Sequence, residues 1–182
     1  MKKFLEIEKK ISNFKKTINV EGDKSLSIRW VLLSLLSKKK SVAYNLLMSE
    51  DVISALNCIK TLGAKVKFYK NKCEIVGKGM EINIQNRLTL NAGNSGTLGR
   101  LILGILINTN KKIKIIGDKS LSKRDFSRIT KPLIKFGAKF NSKKNLPLEI
   151  VGLKSPRSIN YTEIKGSAQC KSTVMLAALK SE

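Results

Sequence analysis

Leu90-Asn91-Ala92-Gly93-Asn94-Ser95-Gly96-Thr97-Leu98-Gly99-Arg100 runs a small, polar, glycine-rich turn straight into the apolar stretch 101–107. Such a turn suits an anion. The first N–H groups of a helix lack intrahelical partners, and the helix dipole makes that end positive. Glycine lets backbone approach a ligand closely. The pattern occurs twice more. Gly22-Asp23-Lys24-Ser25-Leu26-Ser27-Ile28-Arg29 precedes the apolar run 30–36, and Gly166-Ser167-Ala168-Gln169-Cys170-Lys171-Ser172 precedes 174–179. Each copy sets a long cation near the helix start: Lys24 and Arg29, Arg100, and Lys171. A single copy reads better as an N-capped helix without a ligand, because Ser, Thr and Asn cap helices generally. Three copies, each with a basic residue, point to a shared anionic ligand.

The repetition extends beyond the turns. Leu62-Gly63-Ala64-Lys65-Val66-Lys67-Phe68 resembles Phe136-Gly137-Ala138-Lys139-Phe140, and Glu74-Ile75-Val76-Gly77 matches Glu149-Ile150-Val151-Gly152. Gly63 and Gly137 stand 74 residues apart, Gly77 and Gly152 75. A near-constant period marks a duplicated supersecondary unit. The unit reads strand, helix, strand, helix and two short strands, an α/β (α+β) chain of repeated βαβαββ units. In the first copy 41–46 is a strand and 51–62 an amphipathic helix ended by Gly63; 66–69 and 73–76 form a hairpin. In the second, 112–116 is a strand and 126–136 a helix in which Pro132 marks a start or a kink. A third copy begins near Ile159 and reaches only its first helix. Two units and a partial third imply a fragment or a natural short form.

The net charge is +23, with 36 Lys and Arg against 13 Asp and Glu. That balance raises nucleic-acid binding. Two features argue against it: the lysines are spread over every segment, and the few aromatics (5%) fall in hydrophobic patterns rather than on a stacking platform. A positive field also draws small anionic substrates. No apolar run approaches a membrane span and no signal-peptide core is visible, so no membrane partner and a cytoplasmic location are expected. Cys58, Cys73 and Cys170 are too widely spaced for a zinc motif. The chain has no His, which excludes a Ser-His or Cys-His nucleophile pair within it. No metal and no cofactor are expected.

These residues resemble the 5-enolpyruvylshikimate-3-phosphate (EPSP) synthase family. The stretch from Gly22 to Arg29 is similar to its Pro-Gly-Asp-Lys-Ser-Ile-Ser-His-Arg motif, and Asn94-Ser95-Gly96-Thr97 with Arg100 to its Gly-Asn-Ser-Gly-Thr…Arg motif. Gly117-Asp118-Lys119-Ser120-Leu121-Ser122-Lys123-Arg124 resembles Gly-Asp-x-Ser-Leu-x-x-Arg, and Ser167-Ala168-Gln169-Cys170-Lys171-Ser172 resembles Ser-Ala-Gln-Val-Lys-Ser. The four motifs stand in the family's order. Departures are Glu21 for Pro, Ile28 for a frequent His, Gly99 for a larger apolar residue and Asp125 for Pro.

The resemblance implies a 3-phosphoshikimate 1-carboxyvinyltransferase, which moves the enolpyruvyl group of phosphoenolpyruvate to the 5-hydroxyl of shikimate 3-phosphate on the route to aromatic amino acids. It implies two domains of three units each. Residues 1–18 would hold a strand, within 5–12, that packs with a C-terminal domain. Residues 19–182 would be the N-terminal enolpyruvyl transferase domain, cut within its third repeat. By position, Lys24, Ser25 and Arg29 would hold shikimate 3-phosphate, with Lys24 also reaching phosphoenolpyruvate. Gly96 and Arg124 would contact phosphoenolpyruvate, whose place the longer inhibitor glyphosate takes in the family. Ser167, Ala168 and Gln169 would bind the shikimate phosphate and ring. Asn94, Thr97, Arg100 and Lys171, in the same motifs, complete the candidate binding set. The family's proton-transferring Asp has no counterpart here. Two alternatives stay open: an enzyme acting on UDP-N-acetylglucosamine, which shares the fold, and a non-catalytic module for phosphate ligands.

Overall fold

The two stretches headed by Gly63 and Gly137 end their helices in the same way. The computed structural model describes residues 4–6, 8–10, 12–84, 87–142 and 144–181. In it Ala64 N–H donates to Ile59 O (2.9 Å) and Ala138 N–H to Leu133 O (3.1 Å), around glycines at φ 94° and 106°. This is the left-handed helix stop that glycine supplies without strain.

Along the chain run α1 (Lys24–Leu35), β1 (Lys40–Tyr44), α2 (Glu50–Thr61), β2 (Lys65–Tyr69) and β3 (Lys72–Val76). Then come β4 (Leu88–Asn91), α3 (Gly96–Leu106), β5 (Lys112–Ile116), α4 (Lys119–Ser122), α5 (Ser127–Lys135), β6 (Lys139–Phe140), β7 (Leu148–Val151) and α6 (Ala168–Ala178). The segment from β4 to β7 realises the expected βαβαββ unit, with the short α4 added. Its sheet has the order β4-β5-β7-β6, parallel at β4–β5 and antiparallel elsewhere. The first unit forms a smaller sheet, β1-β3-β2, all antiparallel, with the expected hairpin pairing Val66 with Ile75.

The first sheet lacks the strand that β4 provides in the second. Asp23 caps α1 and Ser95 caps α3, 72 residues apart. On that spacing Thr17-Ile18-Asn19 corresponds to Thr89-Leu90-Asn91 of β4, yet 13–22 is irregular and exposed apart from the half-buried Gly22. The outer edge of β1 is therefore unpaired among the described residues. The expected strand within 5–12 is likewise not formed by the described residues there, and Ile7 and Ile11 lie outside them. A strand needs a ladder partner to persist. The expected start of a third copy near Ile159 is irregular chain too, and only its helix, α6, is present. Pro132 lies inside α5 rather than at its start.

Strands β5 and β7 bury alternate residues, Ile113, Ile115, Leu148 and Ile150, so one face of their sheet meets the core. Helix α2 buries Val52, Ala55, Leu56 and Ile59, the i, i+3, i+4, i+7 stripe read from the sequence. Helix α3 is buried along nearly its whole length, with Arg100 the exception, and α6 packs against it. Repeat glycines make the crossings possible. A Cβ on Gly77 would lie 2.1 Å from Ser34 O, and one on Gly152 2.1 Å from Ile107 O, so only glycine lets each unit's last strand leave over the end of α1 or α3.

Candidate functional site

Three helix starts carry the motifs, and in each the side chain before the helix caps it. Asp23 Oδ1 accepts from Leu26 N–H (2.7 Å), Ser95 Oγ from Leu98 N–H (3.3 Å) and Ser167 Oγ from Cys170 N–H (3.2 Å). The capping reading thus holds at all three. What capping does not require is the side chains gathered beyond it.

The starts of α3 and α6 meet. Arg100 donates to Gln169 Oε1 (3.1 Å), and Gln169 Nε2 donates to Thr97 Oγ1 (3.0 Å). Thr173 fastens the pair from below, its hydroxyl shared between Gln169 O (2.8 Å) and Arg100 O (3.2 Å). The turn before α3 is joined to the turn before α4. Asp118 N–H donates to Gly93 O (2.8 Å), Asn94 Nδ2 to Asp118 Oδ2 (2.5 Å) and Arg124 Nη2 to Asn94 Oδ1 (3.3 Å).

Two guanidiniums consequently face one glycine. A Cβ on Gly96 would sit 2.7 Å from Arg100 Nη1 and 2.8 Å from Arg124 Nη1, so those two nitrogens lie within about 5.5 Å of each other, the sum of the two distances. Neither arginine makes an ion pair among the described residues. The Arg100 guanidinium is also stacked on the buried Phe126 ring, 5.1 Å from its centroid. Burial first, then the positive charges of Arg124 and Arg128, lower its pKa. Like charges held this close are relieved by an anion with several acceptor oxygens. Positive φ belongs to Gly93 (55°); Gly96 opens α3 in ordinary helical backbone. Gly96 is small because side chains converge on it.

The start of α1 forms a second group. Lys24 Nζ lies 3.0 Å from Asp51 Oδ2, in the first turn of α2. Arg29 folds back to donate to Ser25 O (3.2 Å). Helix α2 borders the turn before α3 as well: Cys58 Sγ donates to Asn91 O (3.3 Å), and a Cβ on Gly93 would meet Ser54 Oγ at 2.8 Å. Burial pushes the Cys58 thiol up to about 12, so it is a core group and not a nucleophile.

Of the residues singled out in the sequence, Thr97, Arg100 and Gln169 form one hydrogen-bonded group and Asn94 and Arg124 another, and the two converge at Gly96. Ser167 caps α6 beside the first group, and Ala168 is exposed on the first turn of α6. Lys24, Ser25 and Arg29 stand together at α1. Lys171 is exposed on α6 and takes no part in either group. Sequence reasoning missed Asp51 and Phe126, which reach Lys24 and Arg100 from other elements. The departures fit their surroundings. Ile28 is fully buried, and a Cβ on Gly99 would meet the Phe126 ring at ordinary contact distance. Asp125 Oδ1 accepts from Ser127 N–H (2.6 Å) and so helps start α5. Among the described residues no group of Cys, Asp or Glu could hold a metal ion, and no helix is long and apolar enough to cross a membrane.

A βαβαββ unit beside a near-copy, with helix starts meeting at paired arginines, is an α/β architecture of the enolpyruvyl transferase type. The family model for EPSP synthase (3-phosphoshikimate 1-carboxyvinyltransferase) matches residues 8–182, and the chain belongs to that family. It is 37% identical over 168 residues to the 3-phosphoshikimate 1-carboxyvinyltransferase of Caldicellulosiruptor saccharolyticus, covering 91% of this chain and 39% of the relative. With the enzyme of that name from Streptococcus pyogenes serotype M49 the identity is 38% over 169 residues, covering 91% and 40%. Its fold superimposes on EPSP synthase from Acinetobacter baumannii with a TM-score of 0.84 at 33% identity, over 91% of this chain and 38% of that one. The chain thus spans about two fifths of the length of these relatives.

Proposed function

We propose that this chain is the N-terminal, substrate-holding portion of a 3-phosphoshikimate 1-carboxyvinyltransferase. The convergence of Arg100 and Arg124 over Gly96, where α3 and α6 begin, is the observation that carries this reading. Phosphoenolpyruvate presents a phosphate and a carboxylate, and two guanidiniums a few ångströms apart at a helix start match such a pair. Lys24, Ser25 and Arg29 with Ser167, Ala168 and Gln169 would hold shikimate 3-phosphate, so that its 5-hydroxyl faces the enolpyruvyl carbon. The reaction passes through a cationic centre at that carbon and a tetrahedral intermediate. Fixed charges contribute by orienting the two anions and stabilising charge as it develops. Proton transfer is assigned to groups in the part of the relatives' length that this chain does not match. A cytoplasmic location goes with this reading.

The 182-residue chain alone should bind shikimate 3-phosphate weakly and show no turnover, and a separately supplied C-terminal portion should restore some activity. Calorimetric titration with shikimate 3-phosphate, and product assay with and without that portion, check this. Product from the chain alone would overturn the division of labour. Preference for UDP-N-acetylglucosamine would overturn the substrate.

A further inference from the structure

Segment 152–166 crosses from β7 to α6 without regular secondary structure. A connection of that length needs side chains to fix it. One cluster does so. Arg128, in the first turn of α5, lies 2.5 Å from Glu163 Oε1 and also donates to Lys165 O (3.4 Å). The Tyr161 hydroxyl donates to the other Glu163 oxygen. The Glu163 side chain is only 8% exposed, and Tyr161 packs against the core. The Tyr161 hydroxyl, followed by Arg128, holds the Glu163 carboxyl down to about 2, so it is an anion throughout the physiological range.

Four residues after Glu163 comes Ser167, the cap of α6, and two further on Gln169, which binds both Arg100 and Thr97. Four residues before Arg128 is Arg124. The Glu163–Arg128 pair therefore ties the chain entering α6 to α5, which directly follows the turn that holds Arg124. We propose that Glu163, gripping Arg128 and Tyr161, is a positioning residue that sets the start of α6, and with it Gln169, against Arg100. It also neutralises Arg128, whereas Arg100 and Arg124 at Gly96 have no ion pair among the described residues.

The ligand side of this proposal rests on the proposed function; the positioning itself does not, and the test separates them. In the unliganded 182-residue chain, Glu163→Ala should speed amide exchange at 161–171 by at least about tenfold while β5 and β7 keep their protection. The same variant should weaken shikimate 3-phosphate by a similar factor, without changing the weak binding of inorganic phosphate. The charge swap Arg128→Glu with Glu163→Arg should recover most of both losses, which a merely damaged fold would not. Unchanged exchange at 161–171, tighter shikimate 3-phosphate binding in Glu163→Ala, or a folded swap variant that restores neither reading would each overturn the proposal. If the unaltered chain binds no shikimate 3-phosphate, the proposed function fails, and the exchange measurements alone decide the positioning role.

Discussion

Lys24→Met is expected to abolish turnover in a completed enzyme, by about 100-fold or more, while Lys38→Met or Lys39→Met leaves it nearly unchanged. Lys24 opens α1, and its side chain is about half exposed, with the ammonium beside Asp51. An incoming phosphate or carboxylate can share that ammonium without a change in the helix. A hydrogen bond to a charged group contributes about 1.5–3 kcal/mol, and interactions that strengthen in the transition state add to it. Methionine keeps the length and apolar stem and removes only the charge. Lys38 and Lys39 lie in an exposed run between α1 and β1, away from all three helix starts. The check is kcat and KM for both substrates at the three positions. Equal losses at all three would remove Lys24 from the site.

Gly96→Ala should weaken glyphosate by at least about tenfold more than phosphoenolpyruvate in a completed enzyme, with little loss of stability. A methyl there lands less than 3 Å from the ends of Arg100 and Arg124. Both are tips of flexible side chains, so the guanidiniums retreat and the fold survives. The helical backbone at Gly96 accepts alanine, which removes the usual reason for such a substitution to unfold a turn. What shrinks is the space between the two cations, and the longer anion loses more than the shorter one. Inhibition constants, the phosphoenolpyruvate KM and the melting temperature of both versions test this. A proportionate loss of both ligands together with a large fall in melting temperature would show that Gly96 serves the fold instead.

Much of this was legible because the information was local. Gly63 and Gly137 announced two helix stops of one kind, and 73–76 and 112–116 read as strands that the structure half-buries. Asp23, Ser95 and Ser167 announced the helix starts by their capping chemistry. Contacts between distant elements were not legible. Asp51 read as a favourable acid in the first turn of α2, and nothing in its neighbours told that Lys24 lies across from it. Phe126 read as core, which it is, but its ring also carries Arg100. Glu163 sits in a stretch with no periodicity, where side-chain contacts alone set the path. The motif resemblance grouped Arg100 with Gly96 and Gln169 by position, and the packing of α3 on α6 supplies the physical reason.

The edge of β1, unpaired among the described residues, gives the isolated chain an unusual colloidal character. Its N–H and C=O groups are an open template for another strand, and Val42 and Tyr44 offer exposed apolar surface beside them. A charge of +23 on 182 residues opposes that contact, because two copies must approach through strong mutual repulsion. Added salt shortens the reach of that repulsion to about 3 Å at 1 M and leaves backbone pairing intact. Light scattering should therefore show single molecules in dilute buffer and growing assemblies as ionic strength rises, the reverse of a protein whose copies are held together by opposite charges.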